Sequence, residues 1–399
     1  MTKNDVQGVL GFKFAACPAG IRRSGRPDLA LVYSEVPARC AGVFTTNKVM
    51  AAPLLVTSPR IKRGSCQAVL VNSGNANACT GEQGLRDALR CGELAAISLG
   101  IPESLVAVSS TGVIGQPLPM DKLERHIPTL ASRLQAGDAP AVAEAIMTTD
   151  SFPKVSAATG TVDGEPYTIL GVAKGAGMIH PNMATMLAFV LTDAKVAPVF
   201  LDRALRRAVE RSFNSITVDG DTSTNDMVLI LANGLAGERE IEEGTPEGDG
   251  FARHLEEVLL DLAKMIVRDG EGATKLVEIR VKGARSTEDA KMAARSVATS
   301  SLVKTAFFGE DANWGRIIAA VGYSGARVEP DRASIYFNEV AVAKNGLSTG
   351  KELEDEATKV LKTAEFTVTV DLGLGSGEAV YYTSDLTYEY VKINAAYRS

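Results

Sequence analysis

The chain has 399 residues, of which 45% are hydrophobic and 23% are charged, as in an ordinary globular protein. Its formal net charge is −6, so we expect neither nucleic acid nor an anionic membrane surface as a partner. The length predicts two domains with a sizeable hydrophobic core.

The N-terminal segment carries charges early and lacks a long apolar stretch, so we do not expect a signal peptide. No apolar run approaches the roughly 18 residues that a membrane-spanning helix needs. The five cysteines form no CxxC pair, and the three histidines are not spaced as metal ligands. We therefore expect reduced thiols, no metal site and a cytoplasmic location.

The first third of the chain alternates predicted strands and helices. Short apolar runs bounded by glycine or proline predict strands, at 29–33, 68–71 and 105–108. Apolar residues at helical spacing predict helices, at 82–99, 120–135 and 139–147.

Polar turns follow two of these strands. Residues 72–81 are small amides and glycines whose backbone N–H groups could face a ligand, although a plain Asx-type turn would use the same residues. Residues 109–115 place small hydroxyls and a glycine at a strand end. Such an end can present a hydroxyl and a backbone N–H together, as an oxyanion hole requires, but it also suits an ordinary turn with a threonine cap.

Residues 155–170 alternate in the manner of a β-hairpin around a turn at 162–165. The next stretch, 171–193, is glycine-rich in its first half and apolar in its second half. It predicts a tightly turning loop that leads into a buried strand. Thr185 lies at the junction, where its hydroxyl is a candidate nucleophile, although a threonine at the start of a strand is often simply a good strand former.

The middle of the chain predicts a helix from residue 198 and a buried strand over 227–231. Between them, residues 213–226 contain three aspartates. The segment lacks the glutamate that completes an EF-hand loop, so we reject a calcium site and expect it to brace the active site. The polar, acidic turn at 237–250 is a candidate domain boundary.

The clearest helix of the sequence is predicted over 251–268, and a strand follows at 276–281. Glu271 lies between them, flanked by glycines, where it can point into a cleft or remain a solvated turn carboxylate. Further helices are predicted at 289–303, from 317 and at 352–363, and further strands at 333–337 and 366–372.

Five of these motifs, in order and spacing, resemble the ornithine acetyltransferase family, the bifunctional glutamate N-acetyltransferase and amino-acid acetyltransferase of arginine synthesis. The string from Lys174 to Leu187 looks like the self-cleavage site of that family, and the resemblance covers essentially the whole chain. It implies an α/β (α+β), layered sheet-and-helix, N-terminal-nucleophile-like self-cleaving fold with two domains.

The resemblance further implies autocatalytic cleavage between Ala184 and Thr185. The pieces would be an α chain, 1–184, that ends at the cleavage site, and a β chain, 185–399, that carries the nucleophile strand and the C-terminal domain. Two copies of each piece would form an α2β2 heterotetramer. Cleavage would also free the α-amine of Thr185, whose reference pKa of about 7.7–8.0 suits a base for its own hydroxyl.

By resemblance, Thr185 is the nucleophile and Thr111 and Gly112 form the oxyanion hole. The substrate contacts that it implies are Thr148, Lys174, Thr185, Glu271, Asn394 and Ser399. The choice between Thr148 and its neighbour Thr149 stays open. At the last position, where the family often has threonine, this chain has serine, which also offers a hydroxyl.

The predicted reaction moves the acetyl group of N2-acetylornithine to glutamate through an acetyl-threonine intermediate. Lys174 and Glu271 are expected to hold the carboxylate and the ammonium of the amino acid by charge complementarity. We expect no cofactor, with acetyl-CoA as a further candidate substrate. Two alternatives remain: an N-terminal-nucleophile amide hydrolase or aminopeptidase, and a non-catalytic amino-acid-binding protein.

Overall fold

The structure, a computed structural model, describes residues 8–22, 25–180 and 186–396. These residues form two compact units, each built around its own β-sheet. Unit 1 comprises the described residues of 1–178, 182–214 and 221–266, and unit 2 those of 179–181, 215–220 and 267–399.

Both units contain residues from either side of the predicted cleavage bond, and residues 237–250 lie inside unit 1. The proposed pieces 1–184 and 185–399 are therefore covalent fragments rather than compact units. That division stays a prediction.

The strands and helices are numbered in chain order along the described residues. The strands are β1 (Phe12–Cys17), β2 (Leu29–Phe44), β3 (Ser65–Asn75), β4 (Val106–Val113), β5 (Lys154–Val162), β6 (Glu165–Lys174), β7 (Leu187–Thr192), β8 (Ile216–Thr217), β9 (Met227–Ala232), β10 (Leu276–Ala284), β11 (Ser334–Phe337), β12 (Val340–Lys344), β13 (Leu347–Ser348), β14 (Glu365–Asp371) and β15 (Gly377–Ser384). The helices are α1 (Ala52–Ile61), α2 (Gly81–Leu99), α3 (Met120–Ala131), α4 (Ala139–Ala145), α5 (Pro198–Glu210), α6 (Pro246–Arg268), α7 (Thr287–Thr299), α8 (Ser301–Phe308), α9 (Trp314–Gly322), α10 (Lys351–Leu361) and α11 (Tyr388–Ala395).

In unit 1, the long strand β2 joins two groups of strands. Its first half pairs with β1 and β3, and its second half pairs with β9, with an irregular stretch between Tyr33 and Ala38. Beyond β3 lies β4, and beyond β9 lie β7, β6 and β5. Val71 of the first group and Phe189 and Leu229 of the second belong to one buried apolar cluster. The two groups therefore face each other across a shared core.

Helices cover the outer faces of unit 1. Leu70 and Val108 share a second apolar cluster with Cys91 of α2 and Leu123 of α3. On the other side, α6 lies against β6, because a Cβ built on Gly171 would come within 2.7 Å of the Leu262 side chain. The predicted layered α/β fold is confirmed.

Unit 2 has its own seven-stranded sheet in the order β13-β12-β11-β14-β10-β15-β8. Strand β10 pairs in parallel with β14 and antiparallel with β15. Its core includes Ile279 of β10, Val297 of α7, Ile317 of α9 and Leu361 of α10. Among the helices that the structure describes, none is long and apolar enough to cross a membrane.

Most predicted elements are confirmed, but the helix predicted over 289–303 is wrong in its extent. Two helices, α7 and α8, meet at Ser300, whose backbone is extended and whose hydroxyl accepts a hydrogen bond from the Val303 N–H. A serine that caps the next helix thus interrupts an apolar pattern that continues past it. Helix α6 also begins earlier than predicted, at Pro246, which suits the first helical position.

Helices α1 and α11 and strands β8, β12, β13 and β15 were not predicted. In α1, two prolines, Pro53 and Pro59, weaken the sequence signal, although the first lies in the first turn, where proline is tolerated.

Gly112 occupies a place that requires glycine. Its φ is +134°, and it pairs with Gly74 where β4 runs beside β3. A Cβ at this position would come 2.5 Å from the Asn75 nitrogen and closer still to the Gly74 carbonyl carbon. A side chain at this position would therefore add both backbone strain and a steric clash.

We therefore expect Gly112→Ala to destabilise the protein by about 2–4 kcal/mol, since strain and overpacking add. Gly115→Ala is the matched control, because Gly115 also has a positive φ, +82°, but has nothing within 4 Å of its added Cβ. It should lose only about 1 kcal/mol. Thermal unfolding followed by circular dichroism measures both, and equal losses would contradict the close approach of β3 and β4.

Candidate functional site

The candidate site of unit 1 lies at the ends of its strands. Lys174, the last residue of β6, pairs with Leu187, the first residue of β7. Leu187 in turn pairs in parallel with Met227, the first residue of β9. The end of β6 and the starts of β7 and β9 therefore lie side by side.

Thr111, near the end of β4, contacts Lys174 directly. Lys174 Nζ donates a hydrogen bond of 3.2 Å to Thr111 Oγ1, and both residues are buried. An ammonium group can only donate, so the threonine oxygen is the acceptor here and its own O–H can serve another acceptor. A hydroxyl that is polarised by a buried cation is well suited to stabilise a developing oxyanion. The structure thus brings together two of the predicted site residues.

Asn225 braces the strand end that carries Thr111. Its Nδ2 donates to the carbonyl oxygens of Ala76 at 2.6 Å and of Ser110 at 2.8 Å. The Ser110 hydroxyl donates in turn to Asn72 Oδ1 at 2.6 Å. The segment 213–226 therefore contributes to the site through buried hydrogen bonds, which hold the polar turns after β3 and β4 in place.

Asp150 links several parts of this site and was missed by the sequence analysis. It is 5% exposed and accepts hydrogen bonds from Lys154 Nζ at 2.7 Å, from the Gly175 N–H at 2.7 Å and from the Thr148 N–H at 2.9 Å. Burial alone would raise the pKa of Asp150, but the charges of Lys174 and Lys154 outweigh it and bring the pKa to about 2. Asp150 is therefore an ionised, fully engaged carboxylate.

The same cluster holds Thr148, one of the predicted substrate contacts. Its carbonyl oxygen accepts a hydrogen bond of 3.0 Å from Arg22, whose guanidinium also binds the Met147 carbonyl at 2.8 Å. Thr148 is half-buried, whereas Thr149 is exposed. The sequence feature that could have indicated this cluster is the spacing of Asp150 and Lys154, which are four residues apart. The same spacing occurs in buried and in solvent-exposed ion pairs, so it does not predict a site.

Asp226, just before β9, is the second buried carboxyl group that the sequence analysis did not assign. Its Oδ1 accepts a hydrogen bond of 3.0 Å from the Met186 N–H. Its Oδ2 is buried and has no hydrogen-bond partner among the described residues. Burial raises the pKa of Asp226 well above its usual range. The Met186 N–H, the charge of Lys174, the Thr45 side chain and the Ser223 backbone act in the other direction.

Unit 2 brings together two other predicted substrate contacts, Glu271 and Asn394. Glu271 is 8% exposed, and its Oε2 accepts a hydrogen bond of 2.8 Å from Asn394 Nδ2. Next to it, Gly272 has a φ of +68° and leaves no room for a Cβ, which would lie 2.6 Å from the Tyr390 nitrogen. The glycine therefore lets the loop after α6 pack against the start of α11, so that the two side chains meet.

Three predicted site residues, Ala184, Thr185 and Ser399, lie outside the described residues. The residue after Thr185 is held at both backbone polar groups, since the Met186 carbonyl accepts a hydrogen bond of 3.2 Å from the Met227 N–H. Within the described ranges, no group of three or more histidine, cysteine or acidic side chains could hold a metal ion. The roles of the predicted site residues stay predictions.

Comparisons with known proteins agree on one family. The ArgJ family model matches residues 13–399. The arginine biosynthesis bifunctional protein ArgJ of Syntrophotalea carbinolica is 69% identical over 391 residues, which are 98% of this chain and 99% of that protein. The protein of the same name from Geobacter sulfurreducens is 60% identical over 98% of this chain and 100% of its own length.

A solved structure supports the same relationship. The crystal structure of the arginine biosynthesis bifunctional protein argJ from Bacillus halodurans matches with a TM-score of 0.51 and 45% sequence identity. The match covers 52% of this chain and 98% of that chain. The resemblance read from the sequence is confirmed, and the chain belongs to the ArgJ family, the ornithine acetyltransferases of arginine biosynthesis.

Proposed function

We propose that the enzyme transfers the acetyl group of N2-acetylornithine to glutamate through an acetyl ester of Thr185. The observation that carries the proposal is the buried hydrogen bond from Lys174 to Thr111. It leaves the Thr111 hydroxyl able to donate to an oxyanion, beside a fixed positive charge. Both residues lie in the unit that contains β7, the strand that follows Thr185.

The proposal includes autocatalytic cleavage between Ala184 and Thr185. The hydrogen bonds that hold Met186 support it, because they fix the chain immediately after the nucleophile. We further propose an α2β2 assembly of the two pieces and a cytoplasmic location.

In the proposed reaction, the freed α-amine of Thr185 takes the hydroxyl proton as the oxygen attacks the acetyl carbonyl. The Thr111 hydroxyl and the Gly112 N–H stabilise the oxyanion, and ornithine leaves with the proton on its amine. The amine of glutamate then attacks the ester, which yields N-acetylglutamate and restores the threonine hydroxyl. No bound cofactor is needed, and acetyl-CoA would enter as an alternative acetyl donor.

The proposed substrate contacts are those that the family resemblance implies. Lys174 is proposed to hold a carboxylate of the substrate and, through Thr111, to support the oxyanion. Glu271 is proposed to bind the ammonium group, with its carboxylate held in place by Asn394. The further proposed contacts are Thr148, Thr185 and Ser399.

Thr185→Ala should abolish both cleavage and acetyl transfer, because one hydroxyl serves both. Denaturing gels should show the intact chain in place of pieces of 184 and 215 residues. Release of ornithine from N2-acetylornithine, which should depend on added glutamate in the unmodified enzyme, should be lost. Thr161→Ala, a change at an exposed strand threonine, is the control. Substantial transfer by Thr185→Ala would rule out the nucleophile, and ornithine release without glutamate would favour the hydrolase alternative.

Thr111→Ala should lower kcat by about 10²–10³-fold, the usual loss when one oxyanion donor is removed. The KM for N2-acetylornithine should change much less, since the donor acts on charge that develops in the transition state. Steady-state kinetics of the cleaved enzyme, with Thr161→Ala as control, test this. An unchanged kcat would place the oxyanion donor elsewhere.

Glu271→Gln should raise the KM for N2-acetylornithine by about 10–100-fold with a smaller effect on kcat, because a charge-assisted hydrogen bond to the substrate ammonium is lost. Glu278→Gln is the matched control, since this glutamate of β10 forms an ion pair with Arg280 at 2.7 Å and has no proposed role in substrate binding. A fall in kcat at constant KM would instead assign Glu271 to the chemical step.

A further inference from the structure

Asp385, the residue after β15, holds the end of the loop between α6 and β10. It is 3% exposed. Its Oδ1 accepts hydrogen bonds from the Thr274 N–H at 2.8 Å and from the Lys275 N–H at 3.1 Å. Its Oδ2 accepts a hydrogen bond of 2.5 Å from the Thr274 hydroxyl. Both carboxylate oxygens are therefore used to fix the last two residues of this loop.

Two further links join the same loop to α11. The Thr387 hydroxyl donates to the Gly272 carbonyl at 2.7 Å and accepts the Tyr390 N–H at 3.2 Å, so it caps the helix as well. At the beginning of the loop, Glu271 accepts the hydrogen bond from Asn394, in the last turn of α11. The loop and the segment that leads into α11 are thus connected along their length.

The link at Glu271 is the weakest of these connections. It is a single hydrogen bond from Asn394, which is exposed, and one such bond contributes little net free energy. Asp385 instead accepts three hydrogen bonds, and bonds to a charged acceptor are stronger than bonds between neutral groups. The place that the Glu271 carboxylate occupies therefore depends mainly on how firmly its backbone is held.

The backbone around Asp385 is itself fixed by a buried lysine. Lys304 of α8 is 3% exposed, and its Nζ donates to Thr383 Oγ1 at 2.9 Å, to Ser384 Oγ at 3.2 Å and to the Ser384 carbonyl. The Leu386 N–H donates to the Lys304 carbonyl at 3.2 Å. Asp385 is therefore held on both sides, so it can serve as a rigid support for the loop.

We propose that Asp385 is a positioning residue for the ammonium group of the amino-acid substrate. It acts through the loop that it holds, which presents the Glu271 carboxylate at the place where the ammonium binds. This inference rests on the proposed function, in which Glu271 binds that ammonium. A carboxylate that only capped the loop would stabilise the fold without affecting the affinity for the substrate.

The test measures the steady-state kinetics of cleaved variants with N2-acetylornithine. Asp385→Ala removes all three hydrogen bonds and should raise the KM about tenfold, with kcat within about threefold, because a displaced carboxylate weakens binding rather than the chemical step. Asp385→Asn keeps an oxygen for the two backbone N–H groups, so its KM should stay within about threefold of the unmodified value. Thermal unfolding and denaturing gels check that each variant is folded and cleaved.

A second background and a control separate positioning from stability. In Glu271→Gln, the further change Asp385→Ala should raise the KM less than about threefold, since Asp385 acts only through the Glu271 carboxylate. Asp371→Ala is the matched control: Asp371 ends β14, accepts the Gly373 N–H at 3.0 Å and pairs with Lys282 at 3.6 Å. It holds another loop of unit 2, and its loss should leave the KM unchanged.

An unchanged KM in Asp385→Ala, with a raised KM in Glu271→Gln, would overturn this inference alone. A full tenfold effect of Asp385→Ala in the Glu271→Gln background would also overturn it, because Asp385 would then act independently of Glu271. So would equal KM values for Asp385→Asn and Asp385→Ala, since the charge and not the held loop would matter. An unchanged KM in Glu271→Gln would refute the proposed substrate contact and this inference with it.

Should Asp385→Ala not fold, a milder pair of variants decides. Thr274 is exposed, and Thr274→Val removes only the hydroxyl that donates to Asp385. It should raise the KM about threefold, and Thr274→Ser, which keeps the hydroxyl, should restore the unmodified value. Folded Thr274→Val with an unmodified KM would overturn the inference.

Discussion

The site of unit 1 depends on one buried carboxylate, Asp150. A buried charge is tolerated only when it is paired and hydrogen-bonded. Here Lys154 supplies the opposite charge, and the backbone N–H groups of Gly175 and Thr148 donate hydrogen bonds. Asp150 precedes β5 and Gly175 follows β6, so the contact closes the open end of the hairpin that these strands form. The backbone at Gly175, which begins the stretch that leads to residue 185, is therefore held in place.

Two buried carboxyl groups near Lys174 have pKa values that are shifted in opposite directions. Asp150 lies beside two lysines and has its pKa lowered, whereas Asp226 lacks the second lysine and burial raises its pKa. The charge of Lys174 lowers the pKa of both carboxyl groups, and its ammonium group donates a hydrogen bond to Thr111.

The sequence predicts the parts of the fold that have strong local periodicity, such as α2, the hairpin of β5 and β6 and the apolar strand β9. It does not predict that Ser300 separates two helices, because the apolar spacing continues across it. Nor does it predict the partners of Asp150 and Asp226, since burial and pairing are set by distant strands. Glu271 is singled out by its flanking glycines and by the resemblance, whereas Asn394 is named by the resemblance alone. Their hydrogen bond, across 123 residues of sequence, is not predicted by either.

Burial also bears on the choice between transfer and hydrolysis. Thr111, Lys174 and Asp226 are each less than 5% exposed, and a dry site strengthens every charge interaction inside it. Water is needed once in the life of each chain, to open the ester of the proposed self-cleavage, so slow access of a single molecule suffices. Acetyl transfer recurs at every turnover, and in the proposed mechanism each water that reached the acetyl ester would waste an acetyl group. A site with little access to water can therefore complete one hydrolysis and still favour the amine of an amino acid over water in every later cycle.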